Sequence, residues 1–179
     1  QNLFGENAHH AAKHVKAEIE GFQGGRNGGG LRNGIAATMK HYPGAGADED
    51  GKDSHSAPGK FNVFPGGMFE YHQIPFKAAC YSIFKVPEWD PEQVGASHSD
   101  RLIQTYLKQT LGFDGMITGD WGSAGNSAWG LEMFTGAEKA ASFVRSGSHQ
   151  LGNDSHTLVQ AAFDQGLLTT ADIDGAATK

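Results

Sequence analysis

Asp120 follows the short apolar run Gly115 to Thr118 and stands between Gly119 and Trp121. A carboxylate there can act as an ionised nucleophile toward a sugar. The indole offers an apolar stacking face, and the neighbouring glycine leaves room for a ligand. The same position also suits a helix cap or a structural hydrogen-bond acceptor. Lys40 and His41 end a second apolar run, Gly34 to Lys40, and their expected role is to donate hydrogen bonds to sugar hydroxyls. Side chains alternate along a strand, so both face one pocket only if the chain turns, and Pro43-Gly44 provides that turn. Asp53-Ser54-His55 follows on a loop. Its carboxylate would orient the imidazole for proton transfer, and the same triplet also describes an ordinary polar loop. Trp89 and Trp129 are suited either to line the pocket or to fill structural positions.

Composition removes several other functions. The chain has 179 residues and a formal charge of -6, which opposes binding to nucleic-acid phosphates. No run is long and apolar enough to span a membrane, and none reads as a signal peptide. The one cysteine, Cys80, excludes an internal disulfide framework and has no partner base, so it reads as a buried thiol. His10 and His14 are spaced to share a helix face, yet no Glu sits beside the first as in a zinc-protease helix. They read as solvated histidines, and no metal or cofactor is expected. Asp48, Glu49 and Asp50 form an acidic tip without the spaced ligands of a calcium loop.

Helices and strands must bring the reactive residues together. Helices are expected over Asn2 to Gly21, at the end of Met68 to Ala79, and over Asp100 to Leu111. Three more follow at Glu138 to Arg145, His156 to Gln165 and Thr170 to Thr178. Strands are expected at Gly34 to Lys40, Cys80 to Val86, Gly115 to Thr118 and Ser148 to Leu151. Asp154-Ser155 and Thr169 with Asp172 supply caps. The glycine-rich stretch Gly24 to Gly34 reads as a surface loop. The long segment from His41 to Gly67 carries Phe61, Val63 and Phe64, so it should pack down onto the domain. Strands alternating with helices mean an α/β fold with a parallel sheet, which binds ligands at the carboxyl ends of its strands. Lys40-His41, Tyr81 to Lys85 and Asp120-Trp121 lie at such ends.

Several of these segments match one family in order. Lys40-His41-Tyr42-Pro43-Gly44-x-Gly46, followed by Asp53-Ser54-His55, resembles the Lys-His-aromatic-Pro-Gly signature of family 3 glycoside hydrolases. The segment from Glu6 through the GFQGG end of the first helix, HQIPFKAA from His72, and LGFDGMITGDW from Leu111 resemble the family too. The likeness extends over nearly the whole chain. It implies an eight-stranded (β/α)8 TIM-type barrel, of which residues 1–179 would form about the second half. It also implies retaining, exo-acting hydrolysis of a β-glucoside or oligosaccharide. Asp120 matches the nucleophile, and Lys40 and His41 match residues of the innermost sugar subsite. Trp121 and Tyr81 are further substrate-binding candidates. Asp53 and His55 fit the acid/base of the N-acetylglucosaminidase branch, although their loop is two residues longer than in that branch. In the β-glucosidase branch the acid/base is a Glu, often on a following domain. Ala128 to Glu132, AWGLE, looks more like bacterial β-glucosidase relatives, so β-glucosidase is the favoured activity. A β-N-acetylhexosaminidase and a non-catalytic sugar-binding fragment are the alternatives. Ser148-His149 departs from the family, where Val-Asp is usual. The remainder of the barrel or a following domain is an expected partner, and a periplasmic or extracellular location is implied.

Overall fold

The computed structural model describes residues 4–24, 34–42, 44, 46–75, 83–85 and 93–179. Helix α1, Ala8–Phe22, opens the fold, capped by Asn7, whose side chain accepts from the His10 amide. Its buried positions are Ala8 and Ala11. The Tyr71 hydroxyl accepts from the Ala8 N–H at 3.0 Å and ties α1 to helix α2, Phe69–Gln73. Residues 34–40 run extended without ladder pairing among the described residues, so the strand expected there is not formed. Strand β1 is Phe61–Val63, inside the segment read as a long loop, and it pairs in parallel with β2, Ile83–Lys85. Three residues are too few to show alternation in sequence, which is why β1 was not expected.

A wide helix spans Arg101–Thr110 and ends on an i→i−5 hydrogen bond from Leu111 N–H to the Tyr106 carbonyl. Leu102, Ile103 and Leu107 are buried from it and join Tyr42, Phe69, Ala96 and Ile117 in the main core. Tyr42 is the largest fully buried side chain. It is the aromatic residue directly after Lys40-His41, so it pins the start of that loop into the hydrophobic interior. Gly112 follows the helix at φ +69°, a conformation open to glycine at little cost.

Residues 115–118 and 148–151 meet side by side, as expected for parallel neighbours, through a bridge between Thr118 and Gln150. The Gly119 N–H donates to the Gln150 carbonyl at 2.8 Å. The rest of each run lies outside regular strand. Helices α3, Gly136–Arg145, α4, His156–Asp164, and α5, Thr170–Ala177, then pack through Ala137, Ala140, Ala141 and Ala162. Small side chains at that seam let the helices approach closely. Thr135 with Glu138 and Thr169 with Asp172 form capping boxes. Ser155 caps α4, but Asp154 does not; it accepts from the Ala124 N–H at 3.1 Å and holds the loop after Asp120. Among the described residues no helix is long and apolar enough to cross a membrane.

Candidate active site

Asp120 lies at the start of a tight turn whose backbone closes on itself. Its carbonyl accepts from the Ser123 amide at 3.2 Å and from the Ser123 hydroxyl at 2.7 Å. Its Oδ1 accepts from the Trp121 N–H at 2.8 Å. Both remaining contacts are cationic or imidazole donors at Oδ2: Lys40 Nζ at 3.0 Å and His41 Nε2 at 2.7 Å. The carboxylate side chain is only 8% exposed, whereas that of Lys40 is half exposed. Burial alone would raise the Asp120 carboxyl. The hydrogen bonds from Lys40 and Trp121, with the charges of Lys40 and His41, outweigh it and hold the group below the usual carboxylate range. It is therefore ionised at neutral pH. His41 is pushed down, first by burial and then by the Lys40 charge, against the pull of Asp120. A neutral His41 donating from Nε2 fits its contact with Asp120.

Packing from below fixes this turn. A Cβ on Gly119 would lie 2.6 Å from the Phe143 ring and from Ser123 Oγ. The space a side chain would take here is therefore filled by Phe143 of α3 and by Ser123, while the glycine itself lines the cavity beside Asp120. Gly152 admits the Asp120 carbonyl in the same way, since a Cβ there would sit 2.6 Å from that oxygen. His98 is buried; its Nε2 lies 2.7 Å from the Ser123 carbonyl and its Nδ1 3.2 Å from Ser142 Oγ. With Nε2–H donating to that carbonyl, Nδ1 accepts from the Ser142 hydroxyl. Burial drives its pKa down to about 4, against the hydrogen bond to Ser123, so it is neutral at physiological pH. The chain Ser142, His98, Ser123, Asp120 had no signature in the sequence, because its members come from separate segments.

The Asp53-Ser54-His55 loop lies on the His41 side of the site. His55 Nδ1 and Asp53 Oδ1 are 2.6 Å apart, and the His55 backbone N–H also donates to that oxygen at 3.1 Å. These two bonds, the backbone one first, lower the Asp53 carboxyl below its ordinary value. The His55 ring stands edge-on to that of His41, with centroids 6.4 Å apart. One cluster thus contains Asp120, Lys40, His41, His55 and Asp53. Trp121 is 69% exposed at its edge. Trp129 lies behind the loop and donates from Nε1 to the Ser54 carbonyl at 3.2 Å, so it has a structural tie. Tyr81, Cys80 and Trp89 lie outside the described residues.

A cavity of about 770 Å³ opens beside the cluster, lined by Thr38, Lys40, Met116, Thr118, Asp120 and Trp121 among others. It adjoins the carboxyl ends of 34–40 and 115–118, the position expected for a ligand. The departure at Ser148-His149 is structural. Ser148 Oγ donates to the Ser97 carbonyl at 3.1 Å, and His149 Nδ1 accepts from the Ile117 N–H at 2.9 Å. Burial, with the charges of Lys108 and Lys179, lowers His149 to about 4, which keeps that nitrogen free to accept. His10 and His14 contact each other on the exposed face of α1, Nε2 to Nε2 at 2.9 Å. Among the described residues no three His, Cys, Asp or Glu side chains gather to hold a metal.

A buried, ionised carboxylate held by a lysine and a histidine beside a cleft is an arrangement suited to nucleophilic cleavage of a glycosidic bond. The chain belongs to glycosyl hydrolase family 3: it matches the N terminal domain of that family over residues 1–179. It is 32% identical over 194 residues to a probable beta-glucosidase C of Aspergillus oryzae, covering 97% of this chain and 30% of the relative. It is 33% identical over 205 residues to a periplasmic beta-glucosidase/beta-xylosidase of Dickeya chrysanthemi, covering 96% of this chain and 31% of that protein. The chain thus spans about a third of the length of these relatives. The zinc-bound structure of CbsA from Thermotoga neapolitana shares the fold. Its TM-score is 0.72 at 16% identity, over 97% of this chain and 38% of the other. These likenesses are consistent with the TIM-barrel domain of the family, although the described residues alone do not close a barrel.

Proposed function

We propose that the chain is about the second half of a (β/α)8 barrel in a retaining, exo-acting β-glucosidase. The observation that carries this reading is the convergence of Lys40 and His41 on one oxygen of a buried, ionised Asp120. Asp120 attacks the anomeric carbon as the bond to the leaving oxygen breaks, forming a glycosyl ester. Lys40 has three donor hydrogens, so it can contact Asp120 and a sugar hydroxyl together. Trp121 offers its exposed indole to the sugar face, and Tyr81 is a further substrate-binding residue in this reading. The β-glucosidase relatives support glucose as the sugar.

In this reading His55 serves as the acid/base, in place of the Glu on a following domain that the resemblance implies for the β-glucosidase branch. Asp53 accepts from Nδ1–H, which leaves Nε2 to protonate the leaving oxygen and later to take a proton from water. The same dyad favours a second reading, a β-N-acetylglucosaminidase, because an Asp-x-His acid/base is what the resemblance implies for that branch. The natural polypeptide that carries this chain should be assayed on phenyl β-glucoside and phenyl β-N-acetylglucosaminide. The first reading predicts the higher kcat/KM on the glucoside. A preference for the N-acetyl substrate replaces it with the second, and turnover of neither leaves a non-catalytic sugar-binding domain.

A further inference from the structure

The Asp53-His55 pair stands on an exposed loop, with side chains 68% and 57% exposed. A proton donor loses much of its effect when displaced by about an ångström. The loop therefore needs support from outside itself. Among the described residues, two side-chain hydrogen bonds tie it to the turn at residues 129–132. Trp129 Nε1–H donates to the Ser54 carbonyl at 3.2 Å. Glu132 Oε1 accepts from Lys60 Nζ at 2.9 Å. The Ser54 carbonyl belongs to the peptide unit that leads into His55, so the indole fixes the plane from which the imidazole projects. The Lys60 pair holds the far end of the loop.

The turn is itself anchored. The Gly95 N–H donates to the Trp129 carbonyl at 2.8 Å, and Leu131 is buried. Gly130, at φ +82°, lies so close to Gln93 that a Cβ would meet its carbonyl. Ser54 is buried beneath the indole tie while its two neighbours face solvent. We propose that Trp129 is a positioning residue for the acid/base, with Glu132 and Lys60 as a weaker second tie. Trp129 acts through the Ser54 peptide on the placement of His55 over the Asp120 site. This rests on the reading of Asp53 and His55 as the acid/base.

A double-mutant cycle on the natural polypeptide tests it, using Trp129→Phe, His55→Ala and the pair. Trp129→Phe removes the N–H and keeps an aromatic ring. Substrates are aryl β-glucosides with good and with poor leaving groups, since only the poor ones need the proton. Trp129→Phe should lower kcat on the poor substrate by about tenfold, well within what misplacing a catalytic group costs. On the good substrate kcat/KM, which reports glycosylation alone, should change little. In the His55→Ala background the tryptophan change should add less than about twofold, because residues acting as a unit are not additive. Glu132→Gln should show the same pattern more weakly and serves if Trp129→Phe fails to fold. If His55→Ala spares the poor substrate, the acid/base reading falls and the inference with it. If His55→Ala sharply lowers but does not abolish poor-substrate turnover and the second effect is fully additive, or strikes both substrates equally, only the positioning role is overturned.

Discussion

Lys40 sets the charge state of Asp120 more than any other side chain in the site. Its hydrogen bond and its charge both favour the ionised carboxylate, while burial opposes it. Lys40→Met removes the favourable contacts and leaves the burial in place. The Asp120 carboxyl should then rise, and the acidic limb of the kcat/KM profile should move to higher pH. Measured on an activated aryl glucoside, an unmoved limb would show that another group sets it. These residues were legible from type and order: Lys40, His41 and Asp120 end apolar runs, and the structure brings Lys40 Nζ and His41 Nε2 within 3.0 Å of Asp120 Oδ2. Their support was not legible. His98, Ser123 and Ser142 carry no motif, and the imidazole's bonds to a carbonyl 25 residues away and a hydroxyl 44 residues away leave no local spacing to read.

At the scale of elements, two packing relations hold the site. Tyr42 is buried in the main core, and its hydroxyl has no hydrogen-bond partner among the described residues. Tyr42→Phe should therefore leave stability unchanged or raise it by about 1 kcal/mol, because an unpartnered buried hydroxyl carries a desolvation cost. Tyr42→Ala should cost about 3–5 kcal/mol and loosen Lys40-His41. Chemical denaturation of both variants checks this. His98 supplies the second relation. Its folded pKa of about 4 lies below the ordinary histidine value of 6.5, so the unfolded chain binds more protons between them. Stability should be fully present above about pH 6.5 and fall toward pH 4, with about 3 kcal/mol lost across that window. His98→Asn should flatten this slope in thermal melts at a series of pH values. Helices were legible because their apolar faces repeat over several turns, and α3, α4 and α5 lie close to where periodicity puts them. The strands were less legible. Residues 34–40 are apolar enough for a strand but have no paired neighbour among the described residues, whereas β1 is paired yet too short to show a pattern.

For the whole molecule, large apolar side chains at and next to the cavity beside Asp120 face outward. Met116 and Ile35 are 52% and 71% exposed, and Met116 lines the cavity itself. Large exposed apolar residues beside a reactive cleft mark a surface made for contact. The relatives are about three times longer than this chain, so a remainder of the barrel is the expected cover for that wall. The sequence could show the family through ordered motifs, but barrel closure depends on strand pairing that no single motif reports. The central claim is that Asp120 forms the covalent bond to the sugar. It is tested most directly by trapping the natural polypeptide with a 2-deoxy-2-fluoro β-glucoside and mapping the label by peptide mass spectrometry. The label should fall on Asp120, and Asp120→Asn should lose activity by a factor on the order of 10⁴ or more. A label on another residue, with Asp120→Asn still active, would contradict the account.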